Sequence, residues 1–144
     1  MKKHFLLVLT ILIVSSLFVG CSFAPDGNFW DYKRIGENNS EGDAPYPLIS
    51  GKGYHATAML ENAYLGSSAA YNFIAETEDV HCQFAWESYM SADCIVRIDN
   101  EKVLDPEDGF DVPKGSALRI WFGTDYVLSG SGSKAFAEFY LYVD

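Results

Sequence analysis

The sequence predicts an all-β domain, an antiparallel β-sandwich or jelly roll of about seven to eight strands. Three observations support this fold class. From residue 53 onward, runs rich in β-branched and aromatic residues recur at short spacing, many of them alternate with a period of two, and turn-forming residues separate them. No segment shows the periodicity of a helix of three turns. A closed β-barrel is the alternative architecture for this pattern.

Each predicted strand is bounded by residues that favour turns. In the run 80–87, Val80, Cys82, Phe84 and Trp86 occupy alternate positions, so one face of that strand is predicted to be buried. Pro- and Gly-containing segments such as 106–109, 113–115 and 129–132 separate the later runs. The predicted strands are 54–61, 70–77, 80–87, 93–99, 102–104, 117–123 and 135–143.

The N-terminal residues differ in composition from the rest of the chain. Residues 1–4 are cationic, and residues 5–19 are an almost unbroken apolar run, shorter than the roughly 20 residues that a membrane-spanning helix needs. The segment 17–21, with the sequence Leu-Phe-Val-Gly-Cys, resembles the lipobox of bacterial lipoproteins, in which a peptidase cuts before a cysteine that carries diacylglycerol. The resemblance implies that residues 1–20 are a signal peptide and that Cys21 is lipidated. It also implies an exported protein anchored to a cell membrane or outer membrane; an uncleaved anchor is the alternative.

The chain after the leader is predicted to contain a tether and one domain. Residues 21–52 are rich in Gly, Asn, Asp, Ser and Pro and have no sustained period, so they are predicted to form the lipidated N-terminus and a tether. The aromatic cluster 29–32 interrupts this stretch. We expect it to dock on the domain as an edge strand or clip, with a partner-binding motif as the alternative. The β-sandwich domain is predicted for residues 53–144.

The charge of the chain limits its partners. The sequence has 10 basic and 20 acidic residues, for a net charge of −10. Removal of residues 1–20 takes away two of the ten lysines and arginines, which leaves 8 basic against 20 acidic residues and a charge of −12. This charge argues against nucleic acid or anionic lipid as a partner. It is compatible with a cationic protein, a divalent ion or simple solubility.

Two cysteines remain once Cys21 is assigned to lipid. An even pair in an exported protein favours a disulfide. If the runs on either side of residues 88–91 form a hairpin with Cys82 opposite Cys94, the inward faces of both strands align, and opposed Cα atoms lie about 4.5–5.5 Å apart, which a disulfide tolerates. The sequence therefore predicts a Cys82–Cys94 disulfide, with two buried thiols as the alternative.

The last two long runs suggest a binding surface. If 117–123 and 135–143 are neighbours with Leu118 opposite Val143, one face of the pair is apolar and the other is aromatic with one cation. Flat Trp and Tyr rings stack on sugars and anchor protein partners, so this face is predicted to bind a carbohydrate or a protein. The alternatives are that the tether or a second sheet covers the rings, or that the strands lie in opposite sheets, as in Greek-key folds. The predicted site residues are Trp121, Tyr140, Tyr142 and Arg119, extended by Trp86 and Tyr89 beside the hairpin.

The acidic loop 105–111 is a candidate calcium site. Its carboxylates alternate around a glycine that permits a sharp bend, although their spacing differs from that of an EF-hand. A solvated turn is the favoured interpretation of this loop. The candidate calcium ligands are Asp105, Glu107, Asp108 and Asp111, and no other cofactor is predicted.

Motifs of common enzyme classes are missing from the sequence, which has no Gly-x-Ser-x-Gly, His-Glu-x-x-His or phosphate-binding glycine loop. The leading hypothesis is an envelope-anchored, non-catalytic lipoprotein that binds a carbohydrate or protein partner through the aromatic face. The alternative is an acidic inhibitory or protective lipoprotein that captures a cationic enzyme such as lysozyme. An enzyme is the third hypothesis, since two of the 20 acidic residues could meet in a cleft as the paired carboxylates of glycoside hydrolysis.

Overall fold

Two five-stranded β-sheets pack face to face in the computed structural model, which describes residues 32–40, 42–61, 67–89, 92–124 and 134–144. The predicted β-sandwich is confirmed, and the sheets do not close into a barrel. All seven predicted strands are present, together with an edge strand that begins in the predicted aromatic cluster and two short strands that were not predicted. In chain order the strands are β1 (Tyr32–Arg34), β2 (Tyr46–Pro47), β3 (Lys52–Glu61), β4 (Ser67–Ile74), β5 (Val80–Tyr89), β6 (Asp93–Ile98), β7 (Glu101–Lys102), β8 (Phe110–Val112), β9 (Ala117–Thr124) and β10 (Lys134–Val143).

The chain passes repeatedly from one sheet to the other. Sheet A has the order β1-β3-β10-β5-β8, and sheet B has the order β2-β4-β9-β6-β7. The edge strands β1 and β2 run parallel to β3 and β4, respectively, and the remaining pairs are antiparallel, so both sheets are mixed. Among the described strands, β6 and β7 are the one pair of consecutive strands that are also neighbours in a sheet.

The core lies between the sheets and is formed by alternate residues of the long strands, as a period of two requires. Phe122 of β9 and Phe139 of β10 stack across the interface with ring centroids 5.8 Å apart. Tyr71 of β4 meets Phe139 edge-on at 5.0 Å. The other large side chains that are almost fully buried are Phe73, Leu48, Leu60, Leu118, Ile120, Leu141, Val96, Val112 and Val143.

Residues of the predicted tether take part in both sheets. Tyr32 of β1 pairs with Gly53, and a Cβ added to this glycine would overlap the Tyr32 ring, so the ring lies directly on the β3 backbone. Leu48, which follows β2, is buried in the core. The edge-strand docking predicted for the aromatic cluster is observed at Tyr32, whereas residues 29–31 lie outside the described residues.

Asn38 joins the N-terminal segment to the edge of sheet B. Its side-chain amide donates to the carbonyl oxygens of Ala44, at 3.1 Å, and of Asn72, at 3.0 Å. Its Oδ1 accepts from the Asn72 backbone amide at 2.7 Å. The side chain is buried and fully satisfied, so it acts as a bracket between two loops and β4.

The predicted hairpin that joins the two cysteines is wrong. β5 lies in sheet A between β10 and β8, whereas β6 lies in sheet B between β9 and β7. Cys82 is buried opposite Val143, and Cys94 is partly buried opposite Phe122. Both are free thiols rather than a disulfide. The prediction failed because the alternation in β5 shows only which side chains are buried. These side chains are buried equally well if β6 is the neighbouring strand in the same sheet or a strand of the opposite sheet.

The predicted pairing of Leu118 with Val143 is also wrong. The two residues are buried in the same core, but Leu118 projects into it from sheet B and Val143 from sheet A. Leu118 pairs with Phe73 and Ile98, and Val143 pairs with Lys52 and Cys82. The chain makes the Greek-key type of crossing that was the alternative.

The predicted signal peptide and the lipidation site Cys21 lie outside the described residues. Within the part of the chain that the structure describes, no helix is long and apolar enough to cross a bilayer. The membrane anchor therefore stays a prediction from the sequence.

Candidate functional site

The predicted aromatic face is divided between the two outer surfaces of the sandwich. Trp121 and Arg119 point outward from β9 in sheet B, while Tyr140 and Tyr142 point outward from β10 in sheet A. Their strand neighbours alternate into the core, which determines these directions. One ligand of ordinary size cannot contact both pairs, so the combined surface is a wrong prediction.

The tyrosines of sheet A are covered by the N-terminal segment. Tyr140 is 8% exposed, because Tyr32 packs edge-on against it with ring centroids 5.4 Å apart. The Tyr32 ring also packs against the Tyr142 ring, with ring centroids 6.2 Å apart. Covering of the rings by the tether was one alternative predicted from the sequence, and Tyr32 covers Tyr140 in this way. Tyr140 is therefore not available to bind a ligand.

Trp86 and Tyr89 do not extend the aromatic face. Trp86 points between the sheets and packs against Phe122, with ring centroids 6.0 Å apart. It is therefore a partly buried core residue at the end of β5. The Tyr89 backbone pairs with Phe136, and its side chain lies outside the described residues.

A histidine, a glutamate and a tyrosine form a cluster beside the covered tyrosines. The His55 Nε2 atom lies 2.6 Å from Glu138 Oε1, and the Tyr140 hydroxyl donates to the same oxygen at 3.3 Å. The His55 and Tyr140 rings stack at 4.5 Å with an interplanar angle of 11°. Burial raises the pKa of Tyr140 to about 12, and the Glu138 carboxylate adds to this rise. These groups satisfy one another, so the cluster helps to hold the outer surface of sheet A together.

The other half of the predicted face lines a groove. This groove, of about 350 Å³, lies on the outer surface of sheet B and is here called the sheet B groove. Pockets of this size accept small ligands. The lining residues are Ile95, Arg97, Asn100, Arg119 and Trp121.

Trp121 is held flat in this groove. A Cβ added to Gly123, two residues further along β9, would overlap the six-membered ring of the indole, so the ring lies on the Gly123 backbone. Ile95 of β6 and Ala70 of β4 flank Trp121 in the sheet. The indole is partly buried, and it presents a rigid aromatic surface to solvent.

Cationic side chains border the Trp121 indole. Arg97 and Arg119 are directly opposed on β6 and β9, and Lys102 of β7 is opposed to Arg97 on its other side. The Arg119 Nη2 atom donates to Asn39 Oδ1 at 3.0 Å, which fixes one guanidinium. Of the ion pairs formed within the described residues, His55–Glu138 and His81–Asp111, neither contains an arginine.

A tight turn places Asn100 at the edge of the groove. Asp99 and Asn100 have φ angles of 47° and 74°, as expected for the two central residues of a type I′ hairpin between β6 and β7. The Asp99 carboxylate accepts a hydrogen bond from the Ala117 amide at 2.8 Å, which ties the turn to β9. The turn therefore positions an amide side chain beside the arginines.

No protein-family model, curated protein or solved structure matches this chain. Any functional assignment therefore depends on the chemistry of its own surfaces.

The predicted calcium ligands do not converge. Pro106–Asp108 forms a short 3-10 helix after Asp105, and Asp111 lies on β8, where its carboxylate meets His81 Nδ1 at 2.7 Å. Within the described ranges, no group of three or more His, Cys, Asp or Glu side chains is arranged to hold a metal ion. The calcium alternative is wrong because a helical turn and a β-strand spread the four carboxylates along the chain, and their exposure to solvent agrees with the favoured interpretation of a solvated turn.

A second cleft, of about 530 Å³, lies beside the β8 edge of sheet A. Exposed carboxylates of the acidic loop stand at its rim, and the one aromatic side chain among its described lining residues, Phe84, is buried. Its lining residues are His81, Gln83, Phe84, Ala85, Glu107, Asp108 and Gly109.

Three residues of the sheet B groove were not predicted from the sequence. Ile95 and Arg97 occupy alternate positions in the predicted strand 93–99, so the alternation predicts that they share one face of the strand. The alternation does not identify the neighbouring strand, and the predicted hairpin pairs this strand with β5 instead of with β9. Asn100 was recognised only as part of a turn.

Proposed function

We propose that the protein is a lipid-anchored, non-catalytic binding protein of the bacterial envelope, and that the sheet B groove holds a saccharide. The observation that carries this proposal is the Trp121 indole, held flat on Gly123 and bordered by hydrogen-bond donors of Arg119 and Asn100. An aromatic plane with a few fixed polar groups beside it suits a sugar, which has apolar faces and polar edges. The lipobox-like segment ending at Cys21 supports the anchor.

A saccharide fits this surface better than a folded protein. A stable protein interface needs more than about 1,000 Å² of buried surface with an apolar centre. Trp121 and Ile95 are the apolar side chains of the groove, and both are already partly buried. Of the large apolar side chains described as exposed, Met59 and Phe136 oppose each other on sheet A, away from the groove.

Binding without catalysis is supported by the chemistry of the lining. The side chains that line the groove are two guanidiniums, an amide, an indole and an aliphatic group. Among the described lining residues there is no carboxylate, imidazole, hydroxyl or thiol to act as a general acid, general base or nucleophile at neutral pH. The groove is therefore suited to hold a ligand rather than to transform it.

The saccharide proposal is tested by comparing Trp121→Ala with Tyr142→Ala on a glycan array and by calorimetry with each bound glycan. Tyr142 is the matched control, because it is an aromatic residue of the predicted face that lies on the opposite surface of the sandwich. We expect Trp121→Ala to weaken binding about 10-fold or more, since loss of an aromatic anchor costs at least about 1–2 kcal/mol. Gly123→Ala should also weaken binding, because its Cβ displaces the indole.

The opposite ranking contradicts the proposal. Glycan binding that survives Trp121→Ala and is lost in Tyr142→Ala would place the site on sheet A. Retained far-ultraviolet circular dichroism and cooperative thermal unfolding of both variants exclude a general loss of folding as the cause.

The proposed anchor has its own test. Wild-type protein expressed in a bacterial host with its leader is expected to partition into the detergent phase of a Triton X-114 extraction, and Cys21→Ser into the aqueous phase. A Cys21→Ser protein that remains in the detergent phase would point to an uncleaved leader as the anchor instead.

A second candidate function, capture of a cationic enzyme such as lysozyme, is favoured by the acidic cleft beside β8. Glu107 and Asp108 are exposed in this cleft and Asp111 is exposed next to it on β8, in a chain with a net charge of −10. Such capture predicts inhibition of lysozyme that weakens with salt and is reduced in Glu107→Gln/Asp108→Asn. Inhibition that is insensitive to both changes would exclude this cleft as the inhibitory surface.

A further inference from the structure

Resting on the proposed saccharide function, we propose that the sheet B groove selects acidic saccharides, and that Arg97 and Arg119 together bind the carboxylate of a uronic acid whose ring lies on Trp121. This assigns roles to Arg97 and Asn100 that the sequence did not suggest.

The first support is the concentration of positive charge. Three of the ten basic residues of the chain, Arg97, Lys102 and Arg119, lie side by side on the outer face of sheet B, although acidic residues outnumber basic ones two to one. Like charges that are directly opposed across antiparallel strands destabilise a sheet. A carboxylate placed between Arg97 and Arg119 would remove this repulsion.

The second support is that nearby carboxylates do not neutralise the arginines. Asp99 accepts a hydrogen bond from the Ala117 amide, and hydrogen bonds from Ser116 and Ala117 lower the pKa of Asp99. Asp93, the other carboxylate on the outer side of β6, lies four residues before Arg97, which is about 13 Å along a strand. In the part of the chain that the structure describes, neither arginine has a carboxylate partner.

The third support is the geometry of the donors. A guanidinium presents five N–H donors in a planar fork that matches a carboxylate. The hydrogen bond from Arg119 to Asn39 uses one of these donors and orients the remaining ones. The Asn100 amide at the groove edge can hydrogen-bond with sugar hydroxyl groups, while the indole contacts the apolar face of the ring.

The net charge of the chain favours a small acidic sugar over a densely charged polymer. With 20 acidic residues against 10 basic ones, the protein as a whole repels a polyanion such as nucleic acid. A single carboxylate that enters the groove meets the local cations at short range. The ligand class that satisfies both conditions is an oligosaccharide with one uronic acid at the binding position.

The experiment uses pairs of di- and trisaccharides that differ only in whether the terminal uronic acid is free or methyl-esterified. The ester keeps the sugar ring and removes the charge. We expect the free acid to bind the wild-type protein about 10- to 100-fold more tightly than its ester, since hydrogen bonds to a charged group are stronger than those between neutral groups. Arg97→Gln and Arg119→Gln should each remove most of this preference while retaining binding of the ester.

Lys52→Gln is the matched control, because it removes the same charge from an exposed position on sheet A. It should leave the preference for the free acid unchanged. An equal loss in Lys52→Gln and Arg97→Gln would overturn the inference in favour of an effect of net charge. Near-ultraviolet circular dichroism checks that the arginine variants are folded.

The failure of this inference is distinguishable from the failure of the proposed function. Equal binding of the free acid and its ester, with both lost in Trp121→Ala, would overturn the acidic selectivity and retain the saccharide function. Binding of the free acid that is unchanged in Trp121→Ala would overturn both, because the sugar would then not use the indole platform.

Discussion

Arg97 and Arg119 are directly opposed on neighbouring antiparallel strands of a strongly acidic protein. The sheet buries none of this charge, because both side chains point to solvent beside Trp121. Two cations at this spacing reduce the stability of the sheet, and a protein that keeps them in the free state retains a surface ready for an anion. This relationship connects the stability of sheet B to the function proposed for its groove.

Removing one of these charges should stabilise the free protein. Arg97→Gln is expected to raise the free energy of unfolding by about 0.2–1 kcal/mol at low salt, because it relieves repulsion from Arg119 and Lys102. The gain should shrink in 0.5–1 M salt, roughly, where the Debye length falls to a few ångströms. Urea denaturation at two ionic strengths measures it, with the exposed Lys33→Gln on sheet A as the control. A destabilised Arg97→Gln would contradict the repulsion.

Asn38 should be important for stability even though it lies in a loop. Asn38→Ala removes the hydrogen bonds to Ala44 and Asn72 and leaves the Asn72 amide without its partner, which should cost about 1–3 kcal/mol. Asn39→Ala is the matched control, because Asn39 is exposed and hydrogen-bonds only to the Arg119 side chain among the described contacts. Its effect should stay within about 0.5 kcal/mol. Equal unfolding free energies for the two variants would show that the bracket is not needed.

The N-terminal strand should depend on the Tyr32 ring. Tyr32→Ala removes a buried aromatic side chain that packs on Gly53 and Tyr140, so we expect a loss of about 2–4 kcal/mol, near the range for core aromatics. Lys33→Ala, at an exposed position of the same strand, should have little effect. Hydrogen exchange provides a local measurement: the Ile35 amide, which donates to the His55 carbonyl oxygen at 2.9 Å, should exchange faster in Tyr32→Ala alone. Unchanged protection would mean that β1 is held by its backbone.

The two thiols should make the protein sensitive to alkali rather than to reductant. Burial raises the pKa of Cys82 and of Cys94 from 9.0 to about 12. Because the folded-state pKa is raised, the stabilising contribution is fully present below pH 9 and is lost as the pH rises towards 12, since only the unfolded chain ionises readily. The free energy of unfolding between pH 8 and 11, roughly the accessible part of this window, should fall less steeply in Cys82→Ala/Cys94→Ala.

Reductant distinguishes the thiols from the disulfide that the sequence predicted. Addition of dithiothreitol should leave the melting temperature of the wild-type protein unchanged, and the thiol reagent DTNB should react with both cysteines only after unfolding. A melting temperature lowered by dithiothreitol would show that a disulfide forms in solution.

The positions of the strands, and the side of each long strand that faces the core, were largely predictable. The runs 80–87 and 117–123 became β5 and β9 with almost the predicted bounds, and their apolar alternate residues point into the core. The short strands β2 and β8 were missed, since two or three residues carry no period, whereas β1 begins at Tyr32, where an edge strand or clip was expected. Strand β8 lies partly within the acidic loop that was predicted to form a turn or a calcium site.

Single residues of the site were easier to predict than the set of residues that forms it. Trp121 and Arg119 were correctly placed on one outer face, but they were combined with Tyr140 and Tyr142, which belong to the other sheet. The alternation in β9 and β10 shows which side chains are buried, and these side chains are buried whether the two strands lie in the same sheet or in opposite sheets. Arg97 was overlooked for the same reason, since its partner Arg119 follows from the β6–β9 register alone.

Local sequence was sufficient to specify strands, turns and the inward side of each strand, because alternation and turn propensity are properties of neighbouring residues. It also contains the lipobox-like segment, whose role stays a prediction. Strand partners were specified by contacts between distant residues: the packing of Phe122 on Phe139, the clip formed by Tyr32 and the bracket formed by Asn38. A period of two is compatible with many arrangements of the strands, and the packing of the whole core selects the one that places Arg97 beside Arg119.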